Sequence, residues 1–141
     1  QAAPIRRMDI HHFDDLLTAA RQQPQPQRLL LVFAGASLPA GASAAQRAAW
    51  EAGHAGELAP LMCVDKDPQA LSGFDALVQE TTAMGLDWAL VLAAALDGSG
   101  GRPPEAAAVD AALQHLVEAV KAGRLEALIP FDRHGDAVLL G

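Results

Sequence analysis

The chain has little cysteine, little positive charge and no long apolar run, and each shortage excludes a class of protein. Its 141 residues include one cysteine, Cys63, which excludes an internal disulfide framework and a cysteine-rich zinc site. Seventeen acidic side chains against ten basic ones give a formal net charge of -7, so we expect no nucleic-acid partner. The longest apolar segments, 29–34 and 88–96, are too short to cross a membrane as helices, so we expect a soluble protein.

Common catalytic and metal-binding motifs are also missing. The sequence has no C-x-x-C pair for dithiol chemistry and no G-x-S-x-G segment for a serine nucleophile. The five histidines form no metal pattern, since two are adjacent and diverge on a helix, while the others are scattered over different elements: His11, His12, His54, His115 and His134. We therefore predict no metal and no cofactor, and we favour a protein that is not an enzyme.

The length and the 51% hydrophobic content predict one domain with a single core. We assign this domain to residues 9–141 and interpret residues 1–8 as a leader or a processed N-terminal segment, because the chain starts at Gln1 and Met8 is a candidate native start. The absence of cysteine pairs is typical of a reducing compartment, and we expect a cytoplasmic protein.

Apolar periodicity predicts an alternation of helices and strands. Helices are expected over 9–23, 44–53, 67–85 and 105–123, and strands over 28–35, 59–65, 87–96, 125–132 and 137–141. Such alternation, with strands that are apolar on both faces, favours a three-layer α/β/α domain with a mostly parallel sheet and a C-terminal antiparallel hairpin. A thioredoxin-like arrangement is the alternative, because periodicity does not define strand order.

Helix boundaries are predicted from capping residues. Ser43 and Gln46 have the spacing of a capping box, and Asp67 with Pro68 is typical of a helix start. Gly85 and Gly123 are expected to end the second and third long helices.

Ligands of parallel α/β sheets bind beyond the carboxyl ends of the strands, so the side chains there are the candidates. The candidate ligand-binding residues are Ser37, Cys63, Asp65, Lys66, Asp97, Ser99 and Arg102. The loop "GASLPAGAS" after the first strand fails the phosphate-binding motifs, since alanine stands where a P-loop has lysine, and we interpret it as a turn followed by a helix cap.

The remaining loops each allow two interpretations. Cys63 is either a reactive thiol near Lys66 or a small core residue, and we favour the core. The glycines and Arg102 of "DGSGGRPPE" fit an anion site, but a flexible connector is favoured. In "FDRHGD", the residues Asp132, Arg133, His134 and Asp136 fit a polar hairpin turn better than an acid/base site.

Four segments together resemble a small proteobacterial family. They are "FDDLLTAARQQPQPQRLLLVFAGASLP", "PLMCVDKDP", "GLDWALVLAAALDGSGGRPP" and the closing "VEAVKAG" with "FDRHGDAVLLG". The resemblance extends over nearly the whole chain from Met8, and the family's members are often labelled ribonucleotide reductase subunit alpha. That enzyme needs a long barrel, a radical-bearing cysteine and a further cysteine pair, whereas this chain has Cys63 alone. We therefore expect the label to be a misannotation.

The sequence does not establish what the protein does, and three functional hypotheses remain. We favour a non-catalytic binding or protein-interaction module, forming a homodimer or binding a protein partner or a small anionic ligand. One alternative is a thioredoxin-like or single-thiol protein that acts through Cys63. The other is a small-anion binder at the loop from Ser99 to Arg102.

Overall fold

A computed structural model describes residues 5–37 and 57–138. A short 3-10 turn, Arg7–Asp9, precedes the first helix. The described helices are α1 (Phe13–Arg21), α2 (Phe74–Ala83) and α3 (Ala106–Lys121), and the described strands are β1 (Gln27–Ser37), β2 (Glu57–Lys66), β3 (Leu90–Asp97) and β4 (Ile129–Phe131). None of these helices combines the length and the apolar character needed to span a membrane. The predicted helix capped by Ser43 lies outside the described residues.

The four described strands form one antiparallel sheet in the order β2-β1-β3-β4. β1 runs against both of its neighbours, and β4 runs against β3. The prediction of a mostly parallel sheet was therefore wrong. The thioredoxin-like alternative, which also required parallel neighbours, fails for the same reason.

Helices cover both faces of the sheet. On one face, α1 and α2 pack against alternate residues of the central strand, including Leu29, Leu31 and Phe33. On the other face, α3 packs against the residues between them, Leu30 and Val32. β1 is thus buried on both faces, which requires an unbroken apolar sequence. The apolar sequence that suggested a parallel strand is therefore explained by burial on both faces. Such burial requires the same apolar sequence in a parallel and in an antiparallel strand.

The helix ends were predicted better than the helix starts. Gly85 and Gly123 follow α2 and α3 with φ of 70° and 73°, a backbone conformation in which glycine is favoured. α2 starts later than predicted, with Gly73 at the N-cap. Asp67 instead forms a turn, in which its carboxylate accepts the N–H of Gln69. The predicted start signal therefore marks the loop before the helix.

The C-terminal segment forms a tight hairpin against the edge of β4. The Asp132 N–H donates to the Asp136 carbonyl, and the Val138 N–H donates to the Pro130 carbonyl, both at 3.0 Å. The polar residues of "FDRHGD" thus form a turn, and the Asp132 carboxylate accepts the backbone N–H groups of His134 and Asp136.

His12 connects α1 to this hairpin. Its Nδ1 accepts the backbone N–H of Asp14, which caps the helix, and its Nε2 lies 3.0 Å from the carbonyl oxygen of His134. The Asp15 carboxylate accepts the N–H of His12 and completes a capping box. A histidine that the sequence left without a role therefore joins the first helix to the C-terminal turn.

An aromatic cluster fills the core between the sheet and helices α1 and α2. The ring of Trp88 packs edge-on against Phe33 and Phe74. Trp88 is 2% exposed, and its indole N–H donates to the hydroxyl of Thr81, which is fully buried. The hydroxyl donates in turn to the carbonyl of Val78, so the polar groups in this part of the core are paired.

The substitution Thr81→Val should lower the free energy of unfolding by about 1–3 kcal/mol, because the buried indole N–H of Trp88 loses its acceptor. Chemical denaturation of the variant and the wild type measures the difference. Thr82→Val is the matched control, since Thr82 is exposed in the same helix and should change stability by less than about 0.5 kcal/mol. Equal losses for the two variants would contradict this role of the Thr81 hydroxyl.

Candidate functional site

Most of the candidate residues lie at one end of the sheet, although the sheet is not parallel. β2 and β3 both run antiparallel to β1, so they are parallel to each other and their carboxyl ends share one end of the sheet. Leu29 of β1 lies between Lys66 and Ala95. The residues that this topology brings to the shared end are Asp65, Lys66, Asp97, Ser99 and Arg102.

The other two candidates lie elsewhere. The backbone of Ser37 pairs with that of Glu57 at the opposite end of the sheet, and the Ser37 side chain is outside what the structure describes. Cys63 pairs with Val32 in the middle of β2. The candidates therefore do not form one cluster.

Asp65 and Lys66 are adjacent in sequence but point to opposite faces of the sheet. Asp65 forms an ion pair with Arg28 on the face covered by α3. Lys66 forms an ion pair with Glu80 of α2 on the other face, at 2.7 Å. A cleft of about 240 Å³ lies between the Arg28–Asp65 pair and the start of α3. Both charged groups therefore already have partners: the Arg28–Asp65 pair joins β1 to β2, and the Lys66–Glu80 pair joins the sheet to α2.

The loop after β3 is a tight turn. Ser99 and Arg102 exchange two backbone hydrogen bonds of 3.0 Å, and the residues between them, Gly100 and Gly101, have φ of 61° and 78°. Positive φ at both central positions is characteristic of a type I′ turn. The glycines are thus required by the turn, and loop flexibility, which the sequence favoured, is not needed to explain them.

Most backbone donors of this turn already bind protein acceptors, within the turn or in the segment before β1. The N–H of Gly98 donates to the Pro26 carbonyl, and the N–H of Gly101 donates to the side chain of Gln25. Together with the Ser99 and Arg102 donors, four N–H groups of the loop already have protein acceptors. An anion would have to compete with these acceptors, which weakens the case for an anion site in this loop.

Cys63 is exposed, so its interpretation as a core residue was wrong. The reason is its position in β2, which has a described strand on one side only. Leu61, two residues before it, is 45% exposed at a β-bulge. Lys66, which the sequence placed near the thiol, lies on the other face and binds Glu80. The structure therefore separates the thiol from the cation on which the reactive-thiol interpretation depended.

Sequence reasoning missed an opening along β3. Of the β3 residues, β4 pairs with Val91, Leu92 and Ala93, whereas β3 continues to Asp97. Beside the remaining part of β3 lies a groove of about 390 Å³, which we call the edge groove. Its lining includes Ile5, Leu16, Gln27, Ala95, Asp97 and Glu126. Only the length of the strand predicted over 125–132 could have revealed this opening, and that length was overestimated, since β4 is Ile129–Phe131.

The backbone of β3 presents hydrogen-bonding groups to the edge groove. Residue pairs in an antiparallel ladder alternate between hydrogen-bonded and non-hydrogen-bonded pairs. Because Pro130 has no N–H, its pair with Leu92 is a non-hydrogen-bonded pair, and the neighbouring residues Val91 and Ala93 form the backbone hydrogen bonds to β4. Because an antiparallel ladder alternates, Ala95 and Asp97 direct their N–H and C=O groups to the same side. No described strand pairs with them there.

The side chains of Gln27 and Asp97 form a polar end to this groove. Gln27 is 4% exposed, and its amide donates to the Asp97 carboxylate at 2.6 Å and to the Gln25 carbonyl at 2.9 Å. The carboxylate of Asp97 is thereby held in one place. Within residues 5–37 and 57–138, neither Asp97 nor Glu126 forms an ion pair. The same residues contain no group of three or more histidine, cysteine, aspartate or glutamate side chains that could hold a metal ion.

Comparisons with models of protein families, with curated proteins and with solved structures gave no match to this chain. The resemblance noted from the sequence therefore stays a prediction.

Cys63 should react with a maleimide in the folded protein, because its side chain is exposed on β2. We expect one equivalent of label without denaturant, measured by intact mass, and an unchanged circular dichroism spectrum. The Cys63→Ser variant is the control and should take up no label. A thiol that reacts only after denaturation would contradict the exposed position.

Proposed function

We propose that this chain is a non-catalytic protein-interaction module that binds an extended segment of a partner along the open edge of β3. The observation that carries the proposal is the mismatch in length between β4, with 3 residues, and β3, with 8. An exposed strand edge is a template for a further strand, and the backbone hydrogen bonds provide affinity without a particular sequence.

The groove beside this edge supports the same conclusion. Leu16 and Ile5 are among the apolar residues that line the groove, and Ala95 contributes only a methyl group. A strand placed there would bury its own side chains against the same face as α1. Interfaces of this kind combine main-chain bonds with side-chain pockets, which is the geometry that the edge groove offers.

The two alternatives receive less support. A single-thiol function is compatible with the exposure of Cys63, but Lys66 is bound to Glu80 on the opposite face. An anion site between Ser99 and Arg102 would have to use a turn whose backbone donors are largely occupied. In that case, Arg102→Ala should abolish binding of a phosphorylated or carboxylate ligand without unfolding the protein.

Three further proposals concern the protein as a whole. We propose membership of the proteobacterial family that the sequence resembles, without reductase activity, because Cys63 is the one cysteine of the chain. We propose a cytoplasmic location on the same ground. We also propose a homodimer that uses a surface other than the edge groove, since a second acidic groove would repel Asp97 and Glu126.

Ala95→Pro tests the proposed function. Proline removes the N–H that would donate to a bound strand and is tolerated where that N–H has no strand partner. Peptides selected from a random displayed library on the wild-type protein should bind the variant roughly tenfold more weakly or not at all, as measured by calorimetry.

Ala95→Ser is the matched control, because serine keeps the N–H and is close to alanine in size. It should bind the same peptides with affinity within about a factor of three of the wild type. Far-ultraviolet circular dichroism and thermal unfolding establish that both variants are folded. Unchanged binding to a folded Ala95→Pro variant, or a library that yields no binder, would contradict the proposed function.

A further inference from the structure

The lining of the edge groove changes along β3 from apolar to polar. At one end, next to β4, its lining includes Ile129, and Leu16 and Ile5 from the α1 side add further apolar lining. At the other end are the Asp97 carboxylate and the amide of Gln27 that donates to it. The only charged side chains that line the groove, within the described chain, are Asp97 and Glu126, and both are acidic.

The register of the sheet gives the face on which a bound side chain would lie. Ala95 pairs with Leu29, and Asp97 pairs with Gln27, so these four side chains share the face covered by α1. A residue opposite Ala95 on an added strand would place its side chain on this same face, because directly paired residues point the same way. The methyl group of Ala95 leaves room for a large apolar side chain there, beside Leu16.

A residue opposite Asp97 would also lie on this face. There it would meet a carboxylate that Gln27 holds and that has no ion-pair partner in the described residues. A lysine or arginine at this position would form a charge-assisted hydrogen bond. Glu126 adds a second negative charge to the groove, and the whole chain has a formal net charge of -7, which attracts a basic segment.

The direction of the added strand follows from β4. β4 is antiparallel to β3, and its first residue, Ile129, pairs with Ala93. The groove continues the line of β4 along the same edge, so a strand in the same direction extends the existing ladder. Read from its N-terminus, such a strand meets Asp97 first and Ala95 two residues later.

We propose that the edge groove recognises a basic-x-apolar sequence in an extended segment of a partner protein. The basic side chain binds Asp97, and the apolar side chain packs over Ala95 between Leu16 and Ile5. This inference rests on the proposed function, and it adds the chemistry and the direction of the segment that β3 binds.

The test is a selection from a random displayed peptide library on the wild-type protein and on the Asp97→Lys variant. Peptides enriched on the wild type should share lysine or arginine two positions before a large apolar residue. The Asp97→Lys variant should bind these peptides roughly tenfold more weakly and should instead enrich aspartate or glutamate at the first position. Asp87→Lys, at an exposed aspartate outside the groove lining, is the matched control and should retain the wild-type preference.

Hydrogen exchange of the wild-type complex with a selected peptide identifies the bound edge. Protection of the Ala95 and Asp97 amides together with the basic-x-apolar preference supports the inference. Protection of these amides by peptides that lack the preference would overturn it and leave the proposed function intact. Peptides that protect other parts of the protein would contradict both, as would a library that yields no binder to the folded wild-type protein.

Discussion

The burial of β1 on both faces is the constraint on which the described structure depends. β1 lies between β2 and β3, and its alternate residues, such as Leu29 and Leu30, enter separate cores on the two faces. One core contains α1 and α2, and the other contains α3. Because both neighbours run against β1, they run in the same direction, and this brings the ends of β2 and β3 to one end of the sheet.

On the side away from β1, β3 has no partner beyond Ala93 among the described strands because of how the chain returns from α3. Leu128 is 1% exposed and packs in the α3 core, and its N–H bonds to the carbonyl of Leu125 in a turn. The chain therefore reaches the sheet edge only at Ile129, opposite Ala93. The part of β3 beyond that pair, which contains Ala95 and Asp97, has no described strand beside it. The proposed interaction surface is therefore a consequence of the burial of Leu128 in the core against α3.

The sequence predicted the elements of this fold better than their arrangement. Periodicity located the helix faces, and Gly85 and Gly123 marked two helix ends because positive φ favours glycine. Strand direction could not be predicted, since an apolar strand such as β1 looks the same in either direction. The candidate Asp97 lies in the proposed groove, but Cys63 was misplaced because strand order, which periodicity does not encode, makes β2 an outer strand in the described sheet.

Amide hydrogen exchange of the free protein, followed by nuclear magnetic resonance, tests the proposal that the edge of β3 at Ala95 and Asp97 is open to a partner. The N–H groups of Ala94 and Leu96 point to β1 and should exchange slowly, whereas those of Ala95 and Asp97 point into the groove and should exchange rapidly. The N–H of Ala93, paired with Ile129, should be slow. This alternation within one strand is the result that the account predicts. Slow exchange at Ala95 and Asp97, equal to that of Ala94 and Leu96, would mean that the edge is already covered and would contradict it.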